Sequence, residues 1–170
     1  KAITIHQPWA SLIAHGYKRF ETRGWRTNYR GPIAIHAGLQ TDWRSVQMIQ
    51  HNYPAIWLKI YTLPTGRILA IAELTECWKT LDGKMIEAQP PKRVRFVDST
   101  ELNFGDFTSG RFAWELSNIR RLPEPIPARG QQGLWNWHHE DICMHCGLPF
   151  LRNQHNIFCD PCGDRMLHGT

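Results

Sequence analysis

Short apolar segments separated by turn residues run through the first 137 positions of the chain and predict a mixed α+β fold. Alternating or continuously apolar runs of about four to eight residues are typical of strands, while apolar residues at helical spacing indicate helices. The predicted strands span 2–6, 20–25, 33–37, 68–74, 112–119 and 133–137. One predicted helix begins at Pro8 and ends at Gly16, and another covers 42–50 with Thr41 as its N-cap. A helix between the first two strands of such a series fits a mixed β-barrel.

The pattern weakens between positions 79 and 110, where no strand or helix is predicted. This stretch holds the pair Pro90-Pro91, the basic residues Lys92, Arg93 and Arg95 and a cluster of turn residues. It therefore reads as an excursion from the barrel or a lid over it. The proline-rich stretch 123–127 is predicted to be extended. We expect one domain over residues 1–137 and a small separate module over 138–170.

Two classes of protein are disfavoured by the composition. No apolar run approaches the roughly eighteen residues of a membrane span, and the start of the sequence has no signal-peptide pattern. The chain has five cysteines, an odd number, whereas disulfide frameworks belong to secreted chains with paired cysteines. We therefore expect a protein of the reducing cytoplasm, without a membrane partner.

Two Cys-x-x-Cys knuckles, each followed by a glycine, predict a structural zinc site near the end of the sequence. The four cysteines are Cys143, Cys146, Cys159 and Cys162. Two such knuckles complete a tetrahedral site of four thiolates with no open position, so the zinc ion is expected to be structural. Residues 138–170 are too few to bury a sufficient core, and a bound metal supplies the missing stability. Disulfides or an iron–sulfur centre are the alternatives.

Basic side chains are concentrated at the start of the chain, where residues 1–36 hold six of them and one acidic side chain. A basic, aromatic-rich region favours a polyanionic partner, most often nucleic acid, although lysine and arginine also serve simply to solvate a surface. Arg26 and Arg30 bracket a short polar loop, and guanidinium groups suit phosphate oxygens. Trp25 or Tyr29 offers a ring face to an unpaired base. Most other tryptophans are expected in the core, with Trp25 partly exposed in a cleft.

The order and spacing of several motifs resemble the ASCH domain family. The motifs are His6-Gln7-Pro8-Trp9-Ala10-Ser11, Gly16-Tyr17-Lys18, Glu21-Thr22-Arg23-Gly24-Trp25-Arg26, Tyr29-Arg30-Gly31-Pro32, Ala70-Ile71-Ala72-Glu73 and Gly130-Gln131-Gln132-Gly133. The resemblance covers residues 2–137 and implies a PUA-like mixed β-barrel with flanking helices, linked to RNA or other nucleic-acid functions. The four-cysteine segment lies outside it and looks like an appended C-terminal zinc ribbon.

A polar cleft is predicted beside the second strand. Strand alternation sets Glu21, Arg23 and Trp25 on one face. His36 follows the small Ala34 on its own strand face, which leaves room beside the imidazole. We expect Arg23, Trp25 and His36 to contact a ligand there, together with Lys18.

Glu73 is the second carboxylate of the predicted cleft. It ends an apolar run, where a carboxylate is costly unless a charged group pairs with it. Lys18 is the expected partner, because the resemblance implies that both positions lie in the family's cleft. The alternative is a purely architectural ion pair, with His36 as a core histidine.

These residues favour a module that binds RNA or another single-stranded nucleic acid, or a modified base. A second hypothesis is an amidohydrolase for N-acylated cytidine-type nucleosides. Some small ASCH-like proteins that resemble this chain at Lys18 and Glu73 are enzymes of this kind. Lys18, Glu21 and Glu73 would then be catalytic. Those enzymes use a threonine where this chain has Glu21, and alternation turns Thr22 to the opposite face. A third hypothesis is an interaction adaptor built on the zinc ribbon.

Overall fold

The computed structural model describes residues 1–88 and 91–137, which form one mixed sheet with four flanking helices. The strands are β1 (Ala2–Gln7), β2 (Phe20–Arg23), β3 (Gly31–Thr41), β4 (Arg67–Thr80), β5 (Met85–Ala88), β6 (Arg93–Phe96), β7 (Phe112–Pro127) and β8 (Leu134–Trp135). The helices are α1 (Trp9–Ala14), α2 (Trp43–Asn52), α3 (Pro54–Ile60) and α4 (Ser99–Asn103). The mixed α+β class and all six predicted strands are confirmed.

The sheet has eight strands, and its main path runs β2-β7-β4-β3-β1-β8. β1 and β3 are parallel, which the intervening α1 makes possible, and the other pairs are antiparallel. β5 and β6 form a hairpin that extends from the end of β4. The stretch 123–127 continues β7, as its predicted extended conformation requires.

β4 is the central strand, with β3 on one side and β7 on the other. Its residues 68–72 are buried on both faces, which explains the unbroken apolar run in the sequence. One face packs into a cluster with Ile35 and Trp114, and the other packs with Leu122 and Trp135. Each buried isoleucine or leucine stabilises the fold by roughly 1.5–3 kcal/mol, so this strand anchors the sheet.

The helix ends agree with the sequence at α1 and differ at α2. Gly16 has a φ of +78° just beyond α1, a conformation that glycine adopts without strain. The N-cap of α2 is Asp42 rather than Thr41, because the Asp42 carboxylate accepts a hydrogen bond from the Ser45 N–H at 3.2 Å. Trp43, on the outer side of α2, is 66% exposed and so is an exception among the tryptophans expected in the core.

Four elements were absent from the expectations. α3 begins with Pro54, and only Tyr53 separates it from the end of α2. Within 79–110, β5, β6 and α4 are ordered elements that pack on the sheet through a cluster containing Phe20, Trp78 and Phe107. The predicted zinc module, Cys143 to Cys162, lies outside the described residues.

Candidate functional site

A cleft of about 530 Å³ opens between α1, α2, the start of β2 and the turn that follows α4. Trp9, Met48 and Phe104 form its apolar wall, while its charged residues are Lys18, Glu21, Arg44 and Asp106. The volume lies within the roughly 300–1,000 Å³ range of small-molecule sites, which combine an apolar lining with a few oriented polar groups. Two of the predicted site residues, Lys18 and Glu21, therefore do share a cleft.

Lys18 lies at the bottom of this cleft and is 2% exposed. Its ammonium group donates hydrogen bonds to the Phe20 carbonyl and, at 2.6 Å, to the Phe104 carbonyl. Its Nζ also lies 3.7 Å from Oε2 of Glu21. Burial lowers the pKa of Lys18, while the negative charges of Glu21 and Glu101 oppose that shift. All three donors of the ammonium group are thus directed at protein oxygens.

The Glu21 carboxylate is held from two sides, by Lys18 and by Arg23. The Arg23 guanidinium lies 3.0 Å from Oε1 of Glu21 and donates a 2.8 Å hydrogen bond to the Thr4 carbonyl. Arg23 Nε is buried and has no partner among the described residues. These contacts orient the Glu21 carboxylate, an acceptor group that lines the cleft.

The turn after α4 closes one side of the cleft by close backbone approach. The Asp106 N–H donates to the Thr22 hydroxyl at 3.1 Å. A Cβ on Gly105 would lie 2.9 Å from the Phe107 ring and 3.4 Å from Lys18 Nζ, so glycine is required there. Thr22 lines the cleft together with Glu21. Thr22 thus reaches the cleft as well, and its hydroxyl contacts the turn after α4.

The carboxylate that supports this arrangement is Glu101, which sequence reasoning missed. Glu101 is 2% exposed and accepts hydrogen bonds from the backbone N–H groups of Arg19 at 2.5 Å and Phe20 at 3.4 Å. Burial raises the pKa of Glu101 despite these donors. By binding the chain where β2 starts, Glu101 fixes α4 and its following turn relative to Lys18.

The predicted ion pair between Lys18 and Glu73 is wrong, because Lys18 pairs with Glu21 instead. Glu73 lies in the middle of the sheet, opposite Pro32 on β3 and Ser117 on β7, and does not line the cleft. Its charge acts on Tyr29, whose pKa is raised first by burial and then by Glu73. No residue of β4 lines the cleft, and alternation along one strand cannot anticipate where the pairing of β4 with β3 and β7 places Glu73.

The predicted phosphate- and base-binding loop lies outside the cleft lining. Trp25 is 39% exposed, as expected, and packs edge-to-face on Trp114 with ring centroids 4.5 Å apart. Arg30 is engaged by Glu76 at 2.5 Å, and the Tyr29 hydroxyl donates to the Pro32 carbonyl. Arg26 is exposed and has no hydrogen bond or ion pair among the described residues, so it alone is an available cation here.

His36 belongs to a different cavity, of about 400 Å³, which it lines with Thr4 and the segment 128–132. Its Nε2 donates to the Ala128 carbonyl at 3.0 Å, and burial lowers the pKa of His36, which favours the neutral ring with Nδ1 as an acceptor. Nδ1 is buried without a partner in the described part of the chain. A Cβ on Gly130 would lie 2.5 Å from the ring, so Gly130 covers the imidazole closely. The predicted proximity of His36 to Lys18 and Glu21 is therefore not observed.

Several residues of the cleft could not be recognised from the sequence. Trp9 was assigned to a helix core, and Arg44 carried no motif. The segment 79–110, predicted to be an excursion or lid, contributes Asn103, Phe104 and Asp106. That prediction was the only indication in the sequence that this segment could border a site. Residues 1–88 and 91–137 contain no cluster of three or more potential metal-ligating side chains. Over the same ranges, no helix is long and apolar enough to cross a membrane.

The mixed sheet agrees with a comparison to known families. The family model of the ASCH domain matches residues 3–125, and the chain belongs to the ASCH domain family. The chain is also similar to the protein named Activating signal cointegrator 1 from Mus musculus, with 28% identity over 138 residues, 78% of this chain and 21% of the mouse protein. The Homo sapiens protein of the same name gives the same identity and coverage. The chain thus spans about a fifth of the length of these relatives.

Proposed function

We propose that the protein binds single-stranded nucleic acid, RNA in preference to DNA, and holds one unpaired base in the cleft. The observation that carries the proposal is the Glu21 carboxylate, fixed by Lys18 and Arg23 beside an apolar wall of Trp9, Met48 and Phe104. Proteins that read single strands hold unstacked bases against apolar and aromatic side chains and hydrogen-bond their edges. The membership in the ASCH family supports the same class of ligand.

The chemistry of the cleft favours a particular kind of base edge. Both Glu21 oxygens are acceptors, so the base that suits them presents two adjacent donors. Guanine does so through its N1–H and N2–H₂ groups, whereas uracil offers a single ring N–H. A bidentate contact of this kind discriminates between bases by about 1–3 kcal/mol. Guanine is therefore the expected base, and the amino groups of adenine and cytosine are weaker matches.

Phosphate contacts are expected from the arginines that the protein leaves available. Arg44 is exposed at the cleft and has no ion pair or side-chain hydrogen bond among the described residues. Arg26 is similarly available, while Arg23 and Arg30 are engaged with Glu21 and Glu76. Each phosphate contact on a single strand contributes about 0.7 to the slope of affinity against salt on logarithmic axes. Loss of Arg44 or Arg26 should lower the slope by about that amount.

Hydrolysis of an N-acylated cytidine is the weaker alternative. It requires Lys18, Glu21 and Glu73 around one substrate, but the Lys18 donors are taken by backbone carbonyls and Glu21, and Glu73 lies outside the cleft. The adaptor alternative concerns residues 138–170, outside the described part of the chain, and stays a prediction.

The test uses fluorescence anisotropy with uridine decamers that carry one central guanosine, adenosine or cytidine, at fixed ionic strength. The wild-type chain should prefer the guanosine decamer by about tenfold or more. Glu21→Gln replaces one acceptor by a donor and should abolish that preference. Glu73→Gln is the matched control, because it makes the same change outside the cleft and should retain the preference.

Two outcomes would contradict the proposal. One is equal affinity of the wild-type chain for all four decamers, including the all-uridine one, and the other is equal loss in Glu21→Gln and Glu73→Gln. Incubation of the wild-type chain with N-acetylcytidine, followed by chromatography, tests the alternative. Turnover that Glu73→Gln removes would establish the hydrolase instead.

A further inference from the structure

A second cavity, of about 290 Å³, lies between the end of α1, the residues that follow α3, and the last part of β7. Its charged or basic lining residues are His15, Lys59 and Arg121, and no aspartate or glutamate lines it. Glu124 is the nearest acid in sequence, between the lining residues Pro123 and Pro125, and strand alternation turns it to the other face. The cavity is therefore a cationic site without an internal counter-ion.

His15 determines how Arg121 is presented. Nδ1 of His15 lies 2.9 Å from the Ser11 carbonyl, which can only accept, so Nδ1 carries the proton. Nε2 is then an acceptor, and the Arg121 guanidinium donates to it at 2.6 Å. Burial, and secondarily the Arg121 charge, lower the pKa of His15, which agrees with a neutral ring. A neutral partner orients the guanidinium without neutralising it.

The positive charges of this cavity are not satisfied by the protein. Neither Arg121 nor Lys59 has an ion pair with an acidic side chain in residues 1–88 and 91–137. Both are exposed, but they line a concave site rather than an open face, which concentrates their field. A planar guanidinium held in this way matches the oxygens of a phosphate, and the lysine adds a second charge.

The rest of the lining is apolar or aromatic. Leu69 and Leu122 are buried at the base of the cavity, and Tyr61, 62% exposed, stands with prolines at its rim. The Gln7 amide donates to the Pro64 carbonyl at 2.6 Å, which ties the rim segment to β1. A phosphate end and a ring-stacking side in one small cavity are the features of a nucleotide site.

We propose that this cavity binds the terminal phosphate of a nucleotide, with Arg121 and Lys59 on the phosphate and Tyr61 beside the base. The nucleotide is either the end of a nucleic-acid strand or a free mononucleotide, because both present the same phosphomonoester. The site shares no lining residue with the Lys18–Glu21 cleft. The proposal for this cavity therefore does not depend on which base the Lys18–Glu21 cleft binds.

The test compares affinities for adenosine 5′-monophosphate and adenosine by calorimetry, at constant ionic strength. The wild-type chain should bind the monophosphate at least about tenfold more tightly, since charge-assisted hydrogen bonds to phosphate are the strong ones. Lys59→Gln with Arg121→Gln should remove this preference. Lys84→Gln with Arg129→Gln removes the same charge from exposed residues outside the cavity and should keep it.

A second pair of ligands, two RNA decamers, identifies the source of the phosphate. Each of the two outcomes described next supports the site. Tighter binding of a 5′-phosphorylated RNA decamer than of the unphosphorylated decamer assigns it to a strand end. A phosphate preference confined to the mononucleotide assigns it to a free nucleotide. Glu21→Gln should leave either preference intact. Equal affinity for adenosine and its monophosphate, or equal loss in the two double variants, would overturn the proposal.

Discussion

Lys18 shows at the scale of one residue how a buried charge organises the cleft. The ammonium group has three donors, and the Phe20 carbonyl, the Phe104 carbonyl and Glu21 supply the acceptors. The carbonyl of Phe104 comes from a part of the chain 86 positions away, so one side chain links β2 to the turn after α4. Burying this ion is tolerable because two hydrogen bonds and the nearby negative charge of Glu21 compensate it.

Lys18→Met should destabilise the protein strongly. The substitution keeps the length of the side chain, but it leaves two carbonyls without donors and Glu21 without one of its two cations. Removing one partner of a buried charged pair costs about 3–5 kcal/mol of unfolding free energy. Urea unfolding followed by tryptophan fluorescence measures the loss. Lys84→Met, at an exposed position, should stay within about 0.5 kcal/mol, and a similar small effect at Lys18 would disprove its structural role.

The stability of the protein should fall as the pH drops below the ordinary histidine pKa of 6.5, because burial lowers the pKa of His36 in the folded state. Below that pH the unfolded chain binds a proton at His36 that the folded chain does not bind. The contribution of His36 to the free energy of unfolding is therefore complete above pH 6.5 and is lost below it. His36→Gln keeps a donor for the Ala128 carbonyl and should flatten part of the dependence. The pKa of His15 is also lowered, so His15 contributes to the loss of stability at low pH in the same direction.

Unfolding free energies measured at several pH values, about one pH unit apart or less between about pH 5 and 8, check this expectation. His6→Gln, at an exposed position, is the control and should follow the wild-type curve. A wild-type stability that rises on acidification would contradict the stated direction of the shift.

At the scale of elements, local chemistry and long-range packing decide different things. The helix α2 begins where Asp42 caps it, and this is a local choice between neighbouring residues. The position of the β5–β6 hairpin is not local. The Glu76 carboxylate forms ion pairs with both Arg30 and Arg93. The guanidinium carbons of Arg93 and Arg95 lie 5.2 and 5.4 Å from the centroid of the Trp78 ring. These contacts hold the hairpin against the sheet.

Asp42→Ala should cost about 1 kcal/mol of unfolding free energy, because it removes the carboxylate that accepts from the Ser45 N–H and hydroxyl. Thr41→Ala is the matched control at the neighbouring candidate position and should change stability by less than about 0.5 kcal/mol. Chemical denaturation of both variants measures the difference. A larger effect at Thr41 than at Asp42 would restore Thr41 as the cap.

At the scale of the whole molecule, the four cysteines of 143–162 predict a separate zinc module. The full chain, purified without added zinc, should contain about one equivalent of the metal, because two knuckles complete one tetrahedral site. Cys143→Ser should lower the zinc content and unfold that module, while leaving the main thermal transition of the sheet in place. Cys77→Ala is the control, since Cys77 is buried in the core cluster and should not bind metal.

Elemental analysis and calorimetry check both halves of this prediction. Two disulfides in the metal-free tail, seen by mass spectrometry, would contradict it. So would a loss of zinc in Cys77→Ala as large as that in Cys143→Ser.

Much of the fold was accessible from the sequence because it is encoded locally. The apolar run of β4 predicted a strand buried on both faces, and Gly16 marked the end of α1. Lys18 and Glu21 are three positions apart, so their joint presence in one cleft also follows from local geometry. The hairpin β5–β6 escaped prediction because the two apolar residues of β6, Val94 and Phe96, are exposed and so do not mark a buried face.

The sequence by itself predicted six of the eight strands of the described residues, and it determined which residues are charged and which motifs place the chain in its family. Tertiary structure alone decided which distant groups meet. Glu101 binds the backbone of Arg19 across 82 positions, and Arg121 reaches His15 across 106. Periodicity states which side of a strand is buried, but it carries no information about the element that covers that side. Glu73, on the central strand β4, lies opposite Pro32 and Ser117, so the pairing of whole strands rather than any local preference set its place outside the cleft.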